Sequence, residues 1–139
     1  MSPTLRKIIY AVSFETLGTL VASIGLVLMS DAGARSSFVI SALGAFVALA
    51  WSFVFNSIFE AWETRQSVRG RSFRRRATHA LLFEVGLVLL LVPTMAWWLQ
   101  VSLMQAAIYE AGLIVLFILY TYAFTWGFDR VFGLPQSAR

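Results

Sequence analysis

The sequence predicts an all-α integral membrane protein of four spanning helices, organised as two tandem helix pairs. Three observations predict it. Hydrophobic residues make up 59% of the 139 residues and charged ones only 13%, with a mean hydropathy of +0.77, too apolar for an ordinary soluble domain. Four apolar stretches, 8–29, 37–59, 77–99 and 103–127, each reach the ~20 residues that cross a bilayer. The chain also aligns with itself at an offset of 69: Tyr10-Ala11-Val12-Ser13-Phe14-Glu15 falls on His79-Ala80-Leu81-Leu82-Phe83-Glu84, and 51–60 falls on 120–129. The repeats are therefore 1–69 and 70–139, each a transmembrane helix pair.

The first span follows Arg6 and Lys7 and carries Glu15 eight residues past Lys7, about 12 Å along a helix. Ala11, Glu15, Gly18, Ala22 and Gly25 share one face, and small residues there allow close approach of another helix. Arg6, Lys7, the apolar run and Ala32-Gly33-Ala34 mimic a cleaved signal, but the run is long, contains Glu15 and has a repeat counterpart, so it reads as a retained span. In the second span Gly44, Ala48, Ser52, Asn56 and Glu60 recur every fourth residue. This is an interior stripe growing more polar toward one end.

The third span places Glu84 eight residues past Arg76, with His79 nearer the edge and Pro93 predicting a kink. Its face lacks the small stripe, so Glu15 is the better coupling candidate of the two glutamates. The fourth span answers the second with Thr121, Thr125 and Asp129. It also carries Glu110, where the first repeat has Ser41; Glu110 reads either as an outer station for a proton or cation, or as an acid that merely reaches water.

Ten of the eleven Lys and Arg lie near the start, in the middle loop or near the end, and only Arg35 lies in an opposite-side loop. The positive-inside rule places both termini and the middle loop in the cytoplasm. Two spans per repeat make a parallel repeat, related by an axis along the membrane normal. The basic run Arg69, Arg71, Arg74, Arg75 and Arg76 is read as contacting anionic lipid, in preference to nucleic acid. Four helices make a thin wall around any pathway, so a homodimer is an expectation from size.

Ionisable groups inside a span are costly and mark functional sites by default. Glu15 and Glu84 are the candidate proton-coupling residues. Trp51 and Tyr120 fall at their depth, and a carboxylate beside aromatic rings suits an organic cation, since ring faces attract cations; simple packing of the two rings is the plainer reading. Asn56 offers hydrogen bonds across the bundle. Glu60, Asp129 and His79 are accessory or gating candidates at the inner edge, where helix-end charges also serve structure alone. No phosphate loop, catalytic triad or metal-ligand cluster occurs, the chain has no cysteine, and neither a cofactor nor a metal nor an enzymatic role is expected.

Arg76-Ala77-Thr78-His79-Ala80 leading to Phe83-Glu84, the series Trp51, Asn56, Phe59-Glu60, then Pro93, and Tyr120-Thr121 leading to Trp126 and Asp129 together resemble the proteobacterial antimicrobial compound efflux (PACE) family, built from two bacterial transmembrane pair domains. The resemblance implies proton-coupled export of cationic biocides such as chlorhexidine across the inner membrane, with some members similar to short-chain diamine exporters. It places the family's key protonation site on Glu15 and its motif tryptophan, asparagine and terminal aspartate on Trp51, Asn56 and Asp129. Here Lys7 and Tyr10 stand where the family usually has Arg and often His. Two rival readings remain: a non-transporting assembly partner docking through the small-residue faces, and an uncoupled cation channel.

Overall fold

The computed structural model describes residues 1–68, 70 and 72–134. Its four helices are α1 (Pro3–Met29), α2 (Ala34–Thr64), α3 (Phe73–Leu99) and α4 (Leu103–Phe132), all long and apolar enough to cross a membrane. At 27 to 31 residues they run about 40 to 46 Å, beyond the ~30 Å of hydrocarbon. Hydropathy reveals only the apolar part. The helices therefore start earlier (α1, α3) or end later (α2, α4) at the arginine-rich end than the apolar stretches suggest.

Local chemistry sets these ends. Ser2 Oγ accepts from the Leu5 N–H at 3.1 Å with Pro3 in the first helical turn, and Ser72 Oγ accepts from the Arg75 N–H at 3.2 Å; both satisfy donors that a helix start leaves open. Ser30 ends α1, its N–H bonded to the Leu26 carbonyl at 2.9 Å. Gln100, left-handed at φ 56°, ends α3. Helix α3 remains helical through Pro93.

The chain packs as two compact units. Unit 1 is Met1–Ala42 with the segment from Ile108 onward, and unit 2 is Leu43–Ala107. Unit 1 thus holds α1 against most of α4, and unit 2 holds most of α2 against α3. The packing partners are not the helices of one sequence repeat: each repeat gives its first helix to one unit and its second to the other.

In unit 1, Ala22, Leu26, Leu113 and Phe128 are buried; in unit 2, Phe55, Phe59, Val92 and Met95 are. A Cβ on Gly25 would lie 2.8 Å from Leu116 Cδ2 and 3.3 Å from Leu113 Cδ2, so this glycine marks a close contact between α1 and α4. Large apolar side chains such as Ile8, Leu28, Phe46, Phe53, Leu89 and Ile118 are exposed along the helices. In a soluble protein this would be a liability; on spanning helices it is the surface that lipid covers.

Candidate functional site

Each unit is closed by a seam of aromatic and polar side chains, and the two seams are copies related by the offset of 69. In unit 1, Tyr10 Oη and Thr125 Oγ1 share a hydrogen bond of 3.3 Å. At the equivalent positions of unit 2, the Asn56 Oδ1 accepts from His79 Nε2 at 2.7 Å. Tyr10 meets the edges of Phe124 and Phe128 at 5.2 and 5.1 Å between centroids, and His79 meets Phe55 and Phe59 at 5.0 and 4.7 Å. Such edge-to-face contacts are favoured by the ring quadrupole.

A second pair of mirrored contacts lies one turn deeper. The Tyr120 hydroxyl donates to the backbone carbonyl of Phe14 at 2.8 Å, and the Trp51 indole N–H donates to the carbonyl of Phe83 at 3.0 Å. Those carbonyls belong to the residues immediately before Glu15 and Glu84. The depth match expected for Trp51 and Tyr120 with the two glutamates is therefore present. Most of each ring is packed: Tyr120 lies against Phe14, Phe117 and Phe124, and Trp51 against Phe55 and Gly86.

Glu15 and Glu84 are exposed. Of the expected interior stripe on α1, Gly18, Ala22 and Gly25 are buried, whereas Ala11 and Glu15 are exposed. The physical reason is the aromatic seam: Tyr10, Phe14 and Gly18 face α4, so Glu15 stands on the flank, one residue past the carbonyl that Tyr120 holds. Among the described residues no Lys or Arg is paired with Glu15 or Glu84. Both acids are exposed and each follows a tied carbonyl, but their neighbours differ: a phenol over Gly18 beside Glu15, an indole against Gly86 beside Glu84.

At the arginine-rich end the copies diverge. Arg6 pairs with Asp129 at 2.6 Å, donates to the Gly133 carbonyl at 2.9 Å and lies over the Phe128 ring at 5.1 Å. Its counterpart Arg75 reaches Glu63 at 3.7 Å, not Glu60, and donates to the carbonyls of Gly70 and Val68 at 2.8 and 3.2 Å. Arg75 thus folds the α2–α3 loop, while Glu60 is exposed. Arg74 and Arg75 line a cleft of about 240 Å³ with Phe59, Trp62, Ser72 and Thr78. Arg69 and Arg71, also expected to meet lipid, lie outside the described residues.

Glu110 is buried, 7% exposed, which removes the reading in which it merely reaches water. Ser37 and Ser41, in the same unit, are also buried and their hydroxyls have no hydrogen-bond partner. Among the described residues no three potential metal ligands lie together.

Sequence reasoning did not find Arg6, Glu63 or Gly86. Extending the offset from Arg6 to Arg75 would have pointed to the first. Gly86 carries no signal in the repeat, since its counterpart is Leu17; it makes room for Trp51, whose Cζ2 would lie 2.1 Å from an added Cβ.

Four helices able to span a membrane in a tandem pair repeat, with one acid of each repeat exposed on a flank, define a small multi-pass membrane protein. The sequence model of the chlorhexidine efflux transporter family, BTP, matches residues 2–65 and again residues 71–134. The chain belongs to that family, the PACE family, whose members are efflux transporters and not enzymes. It is 29% identical over 126 residues to a short-chain diamines transporter of Acinetobacter baylyi, covering 91% of this chain and 89% of that one. Proteins of the same name from Vibrio parahaemolyticus and Acinetobacter baumannii are 27% and 29% identical over 126 residues, again 91% of this chain and 89% and 87% of theirs. No solved structure matches the chain.

Proposed function

We propose that this protein exports organic dications across the bacterial inner membrane in exchange for protons, with cation and proton competing for Glu15 and Glu84 serving as its repeat counterpart. The observation that carries this reading is the setting of Glu15: on a spanning helix, exposed, next to the carbonyl that Tyr120 holds, and paired with no cationic side chain among the described residues. A carboxylate placed there is costly unless it is protonated or meets a cation. The two ways of neutralising it exclude each other, and that exclusion is the coupling.

Substrate class is supported from two sides. The family description names chlorhexidine, and the three relatives are named for short-chain diamines; both compounds carry two positive charges. The diamine reading leans on the names of these three relatives, at 27% to 29% identity. Tyr120 attends Glu15 within unit 1 and Trp51 attends Glu84 within unit 2, where Asn56 is held by His79; Asp129 in unit 1, and Glu60 and His79 in unit 2, are the accessory groups at the cytoplasmic end of each unit in the orientation with both termini inside. Glu110 is the outer-side station. Arg74, Arg75 and Arg76 sit where anionic head groups lie, and a homodimer would thicken the wall around the path.

The assembly-partner reading loses one of its two docking faces, because Gly18 and Gly25 are covered by Phe117, Tyr120, Leu113 and Leu116 of α4; the other, Gly44 and Ala48 on α2, stays half-buried. The decisive experiment measures proton movement in proteoliposomes with an internal pH dye after adding cadaverine or, separately, chlorhexidine, for the native chain and Glu15→Gln. Substrate-evoked proton flux that disappears in Glu15→Gln is expected, with the larger response to cadaverine. Substrate flux without proton movement would replace the antiporter by a channel.

A further inference from the structure

We infer that Tyr120 and Trp51 are positioning residues, each tying the backbone carbonyl before an in-membrane glutamate and so fixing the direction in which Glu15 or Glu84 leaves its helix. The inference deepens the proposed antiport and rests on it for its functional meaning, though not for its geometry.

A seam of rings alone does not fix the rotation of a helix. Stacked and edge-on rings hold two helices together, but such pairs form over a range of centroid separations of about 4.5 to 7 Å and in more than one arrangement. A hydrogen bond to one named carbonyl does not share that tolerance, because its strength falls steeply as distance and angle degrade. Tyr120 Oη on the Phe14 carbonyl at 2.8 Å and Trp51 Nε1 on the Phe83 carbonyl at 3.0 Å are such fixed points, one in each unit. Successive residues of an α-helix are about 100° apart around its axis. With residue 14 turned toward α4, residue 15 must stand on the flank, and the same holds for Phe83 and Glu84. Both acids are exposed, as this requires, while Phe14 and Phe83 are half-buried.

Both ties have space reserved for them. The Tyr120 ring lies over Gly18, where an added Cβ would be 3.4 Å from Tyr120 Cε1, and the Trp51 ring occupies the space at Gly86. The two glycines are not repeat counterparts, and the donors differ, a phenol in one unit and an indole in the other. What recurs is the tie itself and the carbonyl it holds. Ring packing alone would not require a polar tip at both positions to reach the residue before the acid.

The test uses the full chain in proteoliposomes and two readouts. A hydrophobic carbodiimide reacts with membrane-exposed carboxyl groups, and peptide mass spectrometry gives the rate at Glu15 relative to Glu84, each acid serving as control for the other. Tyr120→Phe keeps the ring and removes only the donor; it is expected to change the Glu15 to Glu84 ratio about threefold or more, the scale of one lost hydrogen bond. Trp51→Phe is expected to change it in the sense that marks Glu84, and Trp51→Tyr, which restores a donor, to return it toward the native value. An unchanged ratio in Tyr120→Phe and Trp51→Phe overturns the inference whether or not the protein transports anything. The second readout, the pH at half-maximal cadaverine-evoked proton flux, is expected to move in Tyr120→Phe. A variant that only unfolds at lower temperature, with native labelling ratio and native pH midpoint, would make the ties structural. Absence of flux in the native chain would sink the antiport reading alone.

Discussion

Arg6 grips Asp129 at 2.6 Å across 123 residues of sequence, fastening the start of α1 to the end of α4. The two side chains are 17% and 26% exposed, shielded enough for the pair to outweigh an ordinary surface ion pair, and their bond is charge-assisted. Asp129→Asn is expected to cost about 1 to 3 kcal/mol. Thermal unfolding in detergent checks it, and a double-mutant cycle with Arg6→Gln should return most of that energy as coupling between the two positions.

The mirrored hydrogen bonds Tyr10 with Thr125 and His79 with Asn56 predict that one pair can replace the other. Asn56→Thr and His79→Tyr should each destabilise the protein, because each leaves a half-buried polar atom without its partner. The double variant, which rebuilds the unit 1 pair within unit 2, should recover about 0.5 to 1.5 kcal/mol relative to the sum of the single changes. Chemical or thermal unfolding of the four proteins measures it, and strict additivity would mean that the two sites are not equivalent.

Glycine substitutions should separate seam from surface. Gly86→Ala puts a methyl group 2.1 Å from Trp51 Cζ2, inside a ring held on Phe83, whereas Gly127→Ala meets nothing within 4 Å. The first is expected to destabilise by about 1 to 3 kcal/mol through overpacking. The second should be neutral or stabilising by up to about 1 kcal/mol, because alanine is the better helix former. Apparent melting temperatures of the purified variants give the comparison.

Burial predicts an order of reactivity among the in-membrane acids. Glu15 and Glu84 are exposed and Glu110 is 7% exposed, so a lipid-soluble carbodiimide should modify the first two well before the third. Time-resolved peptide mapping of the native protein shows the order. Labelling of Glu110 as fast as Glu15 would mean that Glu110 opens to the bilayer.

The transmembrane part of the fold was legible because hydrocarbon admits only long apolar helices that satisfy their own backbone. The apolar stretches therefore mark all four helices, and self-alignment marks the two repeats, since equivalent positions kept equivalent residues: Phe14 with Phe83, Glu15 with Glu84, Trp51 with Tyr120. The polar helix ends were not legible from hydropathy, because water tolerates helix and loop alike; capping at Ser2 and Ser72 sets the starts of α1 and α3. The acids themselves stood out because a charge in a span is costly wherever it points.

The amino-acid sequence by itself thus determined the helices, the repeat and the residues able to carry chemistry. Only the tertiary structure decided which helices pack, α1 with α4 and α2 with α3, and therefore which way each side chain faces. A helical stripe says which residues share a face, but which face is covered depends on a partner helix distant in sequence. That is why Gly18 and Gly25 went into the seam while Glu15, on the same helix and read as part of the same stripe, was turned to the flank by the ring of Tyr120.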